Sequence, residues 1–233
     1  WRVVFLFGAT MTLLAIFFIA RILPVQSLPS QKFNYLAVLR SLGELWRSEP
    51  QVRVATLTQA LLFASFSVLW TVLPFWLAYR YHYGAGVTGS LAALGLIGIL
   101  CAPLAGNFSD RQGPFRMVLL GVILMLLAWI VLWGWDSMTG MLVGILLLDA
   151  GEQCVLIANQ HTIYNLRPDA RNRLNTLFMC VMFIGGACGS LTATWLWETT
   201  HNWTLVISAG GGLVALGMLI VVRRNYLSPQ TGT

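Results

Sequence analysis

Asp149, Glu152, Gln153, Asn159 and Gln160 stand in one apolar run of a 233-residue chain that carries eight acidic residues in all. On an α-helix, at about 100° per residue, the five fall within an arc of roughly 120°. Two carboxyl groups and three amides on one face can exchange protons, hold a polar ligand or pair with another helix. A second set stands in an earlier run, where Gln59, Phe63, Phe66 and Trp70 recur at i, i+4, i+7 and i+11. Aromatic faces with one amide suit a concave site for a partly apolar molecule. Helix packing or lipid contact is the commoner use of such a stripe.

The elements that position these residues are membrane-crossing helices. The chain is 58% hydrophobic and 9% charged, where a soluble domain is about a quarter charged, and its mean hydropathy is +0.75. A crossing needs about 20 predominantly apolar residues, and apolar runs at 3–20, 54–79, 87–106, 117–135, 140–164, 174–197 and 204–222 meet that need. Alternating crossings place 12 of the 14 basic residues on one side, within 21–53, 111–116, 167–173 and 223–224; Arg2 and Arg80 are left on the other. By the positive-inside rule that side, and the C-terminus, is cytoplasmic. A net charge of +6 would suggest nucleic acid in a soluble protein. Here the basic loops flank apolar spans and match an anionic inner leaflet, so the bilayer is the expected partner and nucleic acid is not.

In lipid, the carboxyl-bearing stripe is costly unless it faces a cavity or another helix. No Lys or Arg lies within the apolar runs to neutralise Asp149 and Glu152. Either their partners come from outside this chain, or at least one of them holds a proton at neutral pH. Proton-coupled transport is the sharper expectation, and a structural hydrogen-bonded seam is the alternative. Spacing does not choose which carboxyl would carry the proton.

Between 21 and 53, Tyr35, Leu39, Leu42 and Trp46 recur at helical spacing opposite Arg40, Glu44 and Arg47, the pattern of an amphipathic interfacial helix. Pro74 is a candidate kink in the run at 54–79. The chain opens on Trp1-Arg2 and enters an apolar run directly, so it reads as the C-terminal part of a longer protein. Cys101, Cys154, Cys180 and Cys188 form no CxxC pair and have no histidine at zinc-ligand spacing, so no metal and no cofactor are expected. His82 and His201 fall in outer loops, and His161 lies off the polar stripe. Gly98, Ala102 and Gly106, like Gly185, Gly189 and Ala193, step by four and read as close helix packing. A membrane-enzyme reading fails: Cys188-Gly189-Ser190-Leu191 lacks the last glycine of a GxSG turn, and there is no HExxH or GxxxxGK[ST].

The stretch Gly106-Asn107-Phe108-Ser109-Asp110-Arg111-Gln112-Gly113-Pro114-Phe115-Arg116 is the most specific local signal. Its residues also fit an ordinary turn on the cytoplasmic side. It resembles the loop motif G-x-x-x-D-R/K-x-G-R/K-R/K of the major facilitator superfamily. Gly106, Asp110, Arg111 and Gly113 match in register, Pro114 and Phe115 depart from it, and Arg116 stands in for one basic residue. The stretch from Asn159-Gln160 through Tyr164-Asn165-Leu166-Arg167-Pro168-Asp169-Ala170-Arg171 to Asn175-Thr176 resembles the branch of sugar or drug efflux permeases.

The resemblance implies an all-α integral membrane protein. Residues 1–20 would be the sixth helix of a preceding half, 21–53 the central cytoplasmic linker, 54–222 the six-helix C-terminal half and 223–233 a tail. It further implies alternating access and a gating role for the loop at Gly106, Asp110, Arg111, Gly113 and Arg116. The implied partners are an N-terminal half, protons and an exported small molecule such as a drug or sugar, in a bacterial inner membrane. The alternative is a half-transporter that is inactive without its partner.

Overall fold

The structure, a computed structural model, describes residues 2–22, 35–84, 86–91 and 113–227. The described residues are helical throughout apart from short turns. The chain divides into two units, Trp1–Val38 and Leu39–Thr233. The first contains α1, Arg2–Ile22, whose Phe5–Ile22 stretch is long and apolar enough to cross a membrane.

The helix α2, Tyr35–Ser48, spans the division between the units. In the second unit follow α3 (Pro50–Tyr81), residues 86–91 (α4), α5 (Pro114–Gly134), α6 (Met138–Leu166), a 3₁₀ turn at Pro168–Ala170, α7 (Arg171–Thr200) and α8 (Trp203–Leu227). Stretches of α3, α5, α6, α7 and α8 meet the length and hydropathy of a membrane span, making six with α1 among the described residues. The run at 87–106 lies mostly outside them. Most helices overrun their apolar runs, because the chain stays helical where it leaves the hydrocarbon and meets polar surroundings.

Local sequence sets the ends. Pro50 and Pro114 occupy first-turn positions, where the missing N–H costs nothing. Gly113 precedes α5 at φ +87°, a conformation that favours glycine. Ser137 caps α6 by accepting from the Gly140 amide at 3.1 Å. His82 and His201 close α3 and α7 in the left-handed conformation and are exposed. Pro74 lies inside α3 without ending it.

Within Leu39–Thr233, α3 is the hub, packing on α6, α7 and α8, while α5 packs on α6 and α8. One core cluster runs through Val68, Leu69, Val72 and Leu73 of α3 to Val122 and Met125 of α5 and Ile145 and Leu148 of α6. A smaller one joins Leu45, Val52, Ala55, Ile163, Leu174 and Phe178. Leu45 of α2 is buried there, whereas Leu39, part of the expected apolar stripe, is 62% exposed. At the opposite end, Trp76 stacks on Trp203 at 4.8 Å and meets Trp197 edge-on. Arg80 pairs there with Asp136 at 3.6 Å.

The α3–α7 contact depends on missing side chains. A Cβ on Gly185 or Gly189 would run into the backbone carbonyls of Ala60 and Ala64 respectively. The stepped small residues of α7 are thus a packing face, as their spacing suggests. Gly189→Leu should lower the apparent melting temperature of the purified protein by roughly 5 °C or more. Gly212→Ala, whose Cβ would meet nothing within 4 Å, should leave it within about a degree. Equal melting curves for the two variants would contradict this packing.

Candidate functional site: a buried polar seam between α3 and α6

Glu152 is the fifteenth of the 29 residues of α6, at the helix midpoint. It is 3% exposed, and Asp149 and Asn159 are 6% and 3% exposed. Gln59 is completely buried on α3. Its Nε2 donates to Glu152 Oε1 at 2.6 Å, and its Oε1 accepts from Asn159 Nδ2 at 3.1 Å. One turn along α6, Trp70 Nε1 donates to Asp149 Oδ1 at 3.3 Å. The two stripes read separately from the sequence therefore meet. Asn159, Gln59, Glu152, Asp149 and Trp70 form one seam across the α3–α6 contact.

The expectation that the carboxyl groups find no partner within this chain is corrected. Each has a neutral N–H donor from α3, reached because α3 and α6 pack side by side. The donors do not satisfy both oxygens. Asp149 Oδ2 and Glu152 Oε2 are buried without a hydrogen-bond partner among the described residues, and so are Thr56 Oγ1 and Thr58 Oγ1. A buried carboxylate oxygen without a donor costs free energy. A proton or a cation arriving there would relieve it.

The stripe is divided by depth. Asn159, Glu152 and Asp149 are buried, while Gln160 and Gln153, at the other edge of the arc, are half-buried. Phe63, Phe66 and Trp70 are half-buried as well. Phe63 and Phe66 stack at 5.7 Å with 13° between planes, Phe66 and Trp70 are 6.1 Å apart, and Phe63 meets Phe183 of α7 edge-on. The aromatic stripe is thus partly within the packing, and its Trp70 end reaches the buried Asp149.

Other polar contacts carry no signal in residue spacing. Ser65 donates to the Gly210 carbonyl at 2.8 Å and accepts from Trp129 Nε1 at 2.8 Å, tying α3, α5 and α8 together. Thr71 donates to Ser190 at 2.9 Å, so Ser190 sits in a hydroxyl pair between α3 and α7. At the end near α2, Arg167 pairs with Asp169 at 3.2 Å and with Glu49 at 3.5 Å. The hydrogen bond to Asp169 pushes the Arg167 pKa further up, so it is a fixed charge. The only signal that could have found Ser65 is that a hydroxyl inside a crossing needs a partner.

The loop motif stands differently. Gly106, Asp110 and Arg111 lie outside the described residues; Gly113 precedes α5, and Arg116 is exposed in its first turn. A crevice of about 420 Å³ between α3, α7 and α8 is lined by Leu57, Leu61, Cys188, Thr192 and Leu213, among others, and shares no residue with the seam.

A seam of titratable groups buried at the middle of a membrane helix bundle agrees with the family that the sequence matches. The Major Facilitator Superfamily model matches residues 1–165 and 55–232. This chain belongs to the major facilitator superfamily. It is 36% identical over 228 residues to the uncharacterized transporter YgaY of Escherichia coli O157:H7, covering 97% of this chain and 57% of that protein. It is 30% identical over 196 residues to the probable transporter SCO4007 of Streptomyces coelicolor, covering 83% of this chain and 45% of that one. With the uncharacterized MFS-type transporter YceJ of Bacillus subtilis it shares 24% over 225 residues, 94% and 56% of the two chains. The chain spans about half the length of these relatives. Family and helices together make it a multi-pass membrane protein.

The Gln59–Glu152 bond can be measured. A double-mutant cycle of Gln59→Ala and Glu152→Ala, read by unfolding in mixed micelles, should give a coupling of about 1–3 kcal/mol. Strict additivity would mean that the two side chains do not interact.

Proposed function

We propose that this chain is the C-terminal half of a proton-coupled secondary transporter that exports a small organic molecule by alternating access. The observation that carries the reading is Glu152, held by a neutral amide at the midpoint of α6 with one oxygen unpartnered. Ionisable groups inside membrane helices mark substrate, ion and proton paths. The half-buried edge of Gln153, Gln160, Phe63, Phe66 and Trp70 would face the cavity shared with the N-terminal half. The loop motif at Gly106–Arg116 would gate the cytoplasmic side. The distribution of basic residues supports a cytoplasmic C-terminus, and the bacterial relatives support an inner-membrane location. A drug or a sugar as substrate rests on the resemblance to efflux permeases.

A neutral partner suits proton exchange. An Arg or Lys beside Glu152 would hold it as a carboxylate through a strong buried pair. The Gln59 amide can stay bonded to Glu152 whether or not that group carries a proton, so the change of charge does not require the helices to separate.

The test uses the full-length protein in proteoliposomes with an imposed pH gradient, read by a pH-sensitive dye while a panel of drugs and sugars is added. Compounds that discharge the gradient through the wild type should fail to do so through Glu152→Gln, while substrate counterflow without net proton movement persists. Wild-type coupled flux in Glu152→Gln would overturn proton coupling at this residue.

A further inference from the structure

We propose that the crevice between α3, α7 and α8 is a lipid site: it takes one acyl chain of an anionic phospholipid whose phosphate lies at Arg53 and Arg223. The proposal is independent of the transport reading above.

The crevice arises because α7 and α8 both pack on α3 but scarcely on each other. Ala60 and Ala64 of α3 line it with Gly185 and Gly189 of α7, where the two backbones approach most closely. On α8 the lining runs from Ala209 to Ile220, roughly 16 Å along the helix axis. All three helices meet the length and hydropathy of a membrane span. Beyond Thr192 and Ala209, Trp203 stacks on Trp76 at 4.8 Å and Trp197 meets the same ring edge-on, so rings bridge α7 and α8 at that end.

The lining selects a hydrocarbon chain. It is apolar apart from Cys188 and Thr192, and the Thr192 hydroxyl is turned back to the Cys188 carbonyl at 2.8 Å. A polar solute would find no free hydroxyl or amide there. A neighbouring helix is about 10 Å across, and the same length of it would fill roughly 1,200 Å³, far more than the crevice's 420 Å³. A single acyl chain is slim enough to enter and long enough to follow the groove. Leu57, which lines the crevice, and Leu216 of α8 are 42% and 51% exposed, so apolar surface leads into it from outside. Moving a chain from bulk lipid brings no hydrophobic gain, but an unfilled groove forfeits dispersion contacts that a chain restores.

The phosphate is placed by charge. The stacking of Trp76 on Trp203 joins the end of α3 to the start of α8, so the two helices run in opposite directions. Arg53, near the start of α3, and Arg223, near the end of α8, therefore stand at the same end of the bundle. Arg53 precedes the lining residue Leu57 by four positions, and Arg223 follows the lining residue Ile220 by three. Each thus lies on the crevice side of its helix, one turn past the lining. Neither forms an ion pair among the described residues, whereas Arg167 at the same end is engaged by Glu49 and Asp169. Two uncommitted guanidinium groups beyond an apolar groove match an anionic headgroup above its acyl chain.

The test uses the full-length protein in detergent micelles, titrated with phosphatidylglycerol or phosphatidylcholine and read by native mass spectrometry. A phosphatidylglycerol with a diazirine in one acyl chain locates that chain by peptide mapping. Phosphatidylglycerol should bind more tightly than phosphatidylcholine, with crosslinks concentrated in 57–64, 185–192 and 209–220. Arg53→Gln combined with Arg223→Gln should weaken phosphatidylglycerol binding by about tenfold or more and leave phosphatidylcholine within about threefold. Ala209→Phe, which fills the crevice, should remove the crosslinks. The arginine pair lies outside the packed core, so its result stands even where Ala209→Phe fails to fold. Crosslinks spread evenly over exposed residues such as Leu191 and Leu219 would overturn the site. Equal affinity for the two lipids in the wild type, or no effect of the arginine pair, would overturn the phosphate seat. A dimer mass without bound lipid, with the crevice peptides crosslinked between copies, would make a second copy the occupant and overturn the proposal.

Discussion

A carboxyl group at the middle of a membrane helix has to be given hydrogen-bond donors, and much of this bundle follows from where they come. Glu152 takes its donor from Gln59, so α3 must lie against α6 at the depth where both are fully buried. Asn159 completes the arrangement by donating to Gln59 Oε1, which leaves the Gln59 amide nitrogen for Glu152. An amide placed the other way round would bring two acceptors together. Water cannot substitute in the hydrocarbon, so each of these groups constrains the next.

Holding α3 in that position requires close contacts on its other sides. The carbonyls of Ala60 and Ala64 receive α7 at Gly185 and Gly189, within one or two turns of Gln59 on the same helix. Ser65 binds Gly210 of α8 and Trp129 of α5 at the same level. Between lipid-facing helices there is little hydrophobic driving force, so close packing and interhelical hydrogen bonds carry the association. The α3 segment from Gln59 to Ser65 combines both in two turns. It is the part of the bundle least able to shift without exposing an unpaired polar group.

The crossings were legible because mean hydropathy and run length report directly on transfer into lipid, and the family was legible from Gly106, Asp110, Arg111 and Gly113. The candidate site residues were legible as two separate stripes, since a polar or aromatic group at helical spacing in an apolar run stands out. That Gln59 and Trp70 meet Glu152 and Asp149 was not legible, because periodicity on one helix says nothing about which helix lies opposite. The expected apolar face of α2 ran through Tyr35, Leu39, Leu42 and Trp46, yet Leu39 is exposed and Leu45, off that stripe, is buried. Interfacial helices have two apolar environments open to them, lipid and protein, and composition does not separate the two. Ser65 and Thr71 escaped notice because a lone hydroxyl in a crossing can return its bond to its own backbone, as Thr162 does to Ala158; only the structure shows that these two reach another helix.

The charge chemistry of the seam depends on its donors being neutral. An ion pair across α3 and α6 would bind more strongly in the low-dielectric interior, but removing one partner's charge would leave the other buried and alone, at a cost of several kcal/mol. Neutral donors such as Gln59 and Trp70 can stay bonded to a carboxyl group in either charge state. The packing is therefore insulated from the titration. A contact that survives a change of charge on one partner keeps the two helices in register, and neutral donors are what make that possible here.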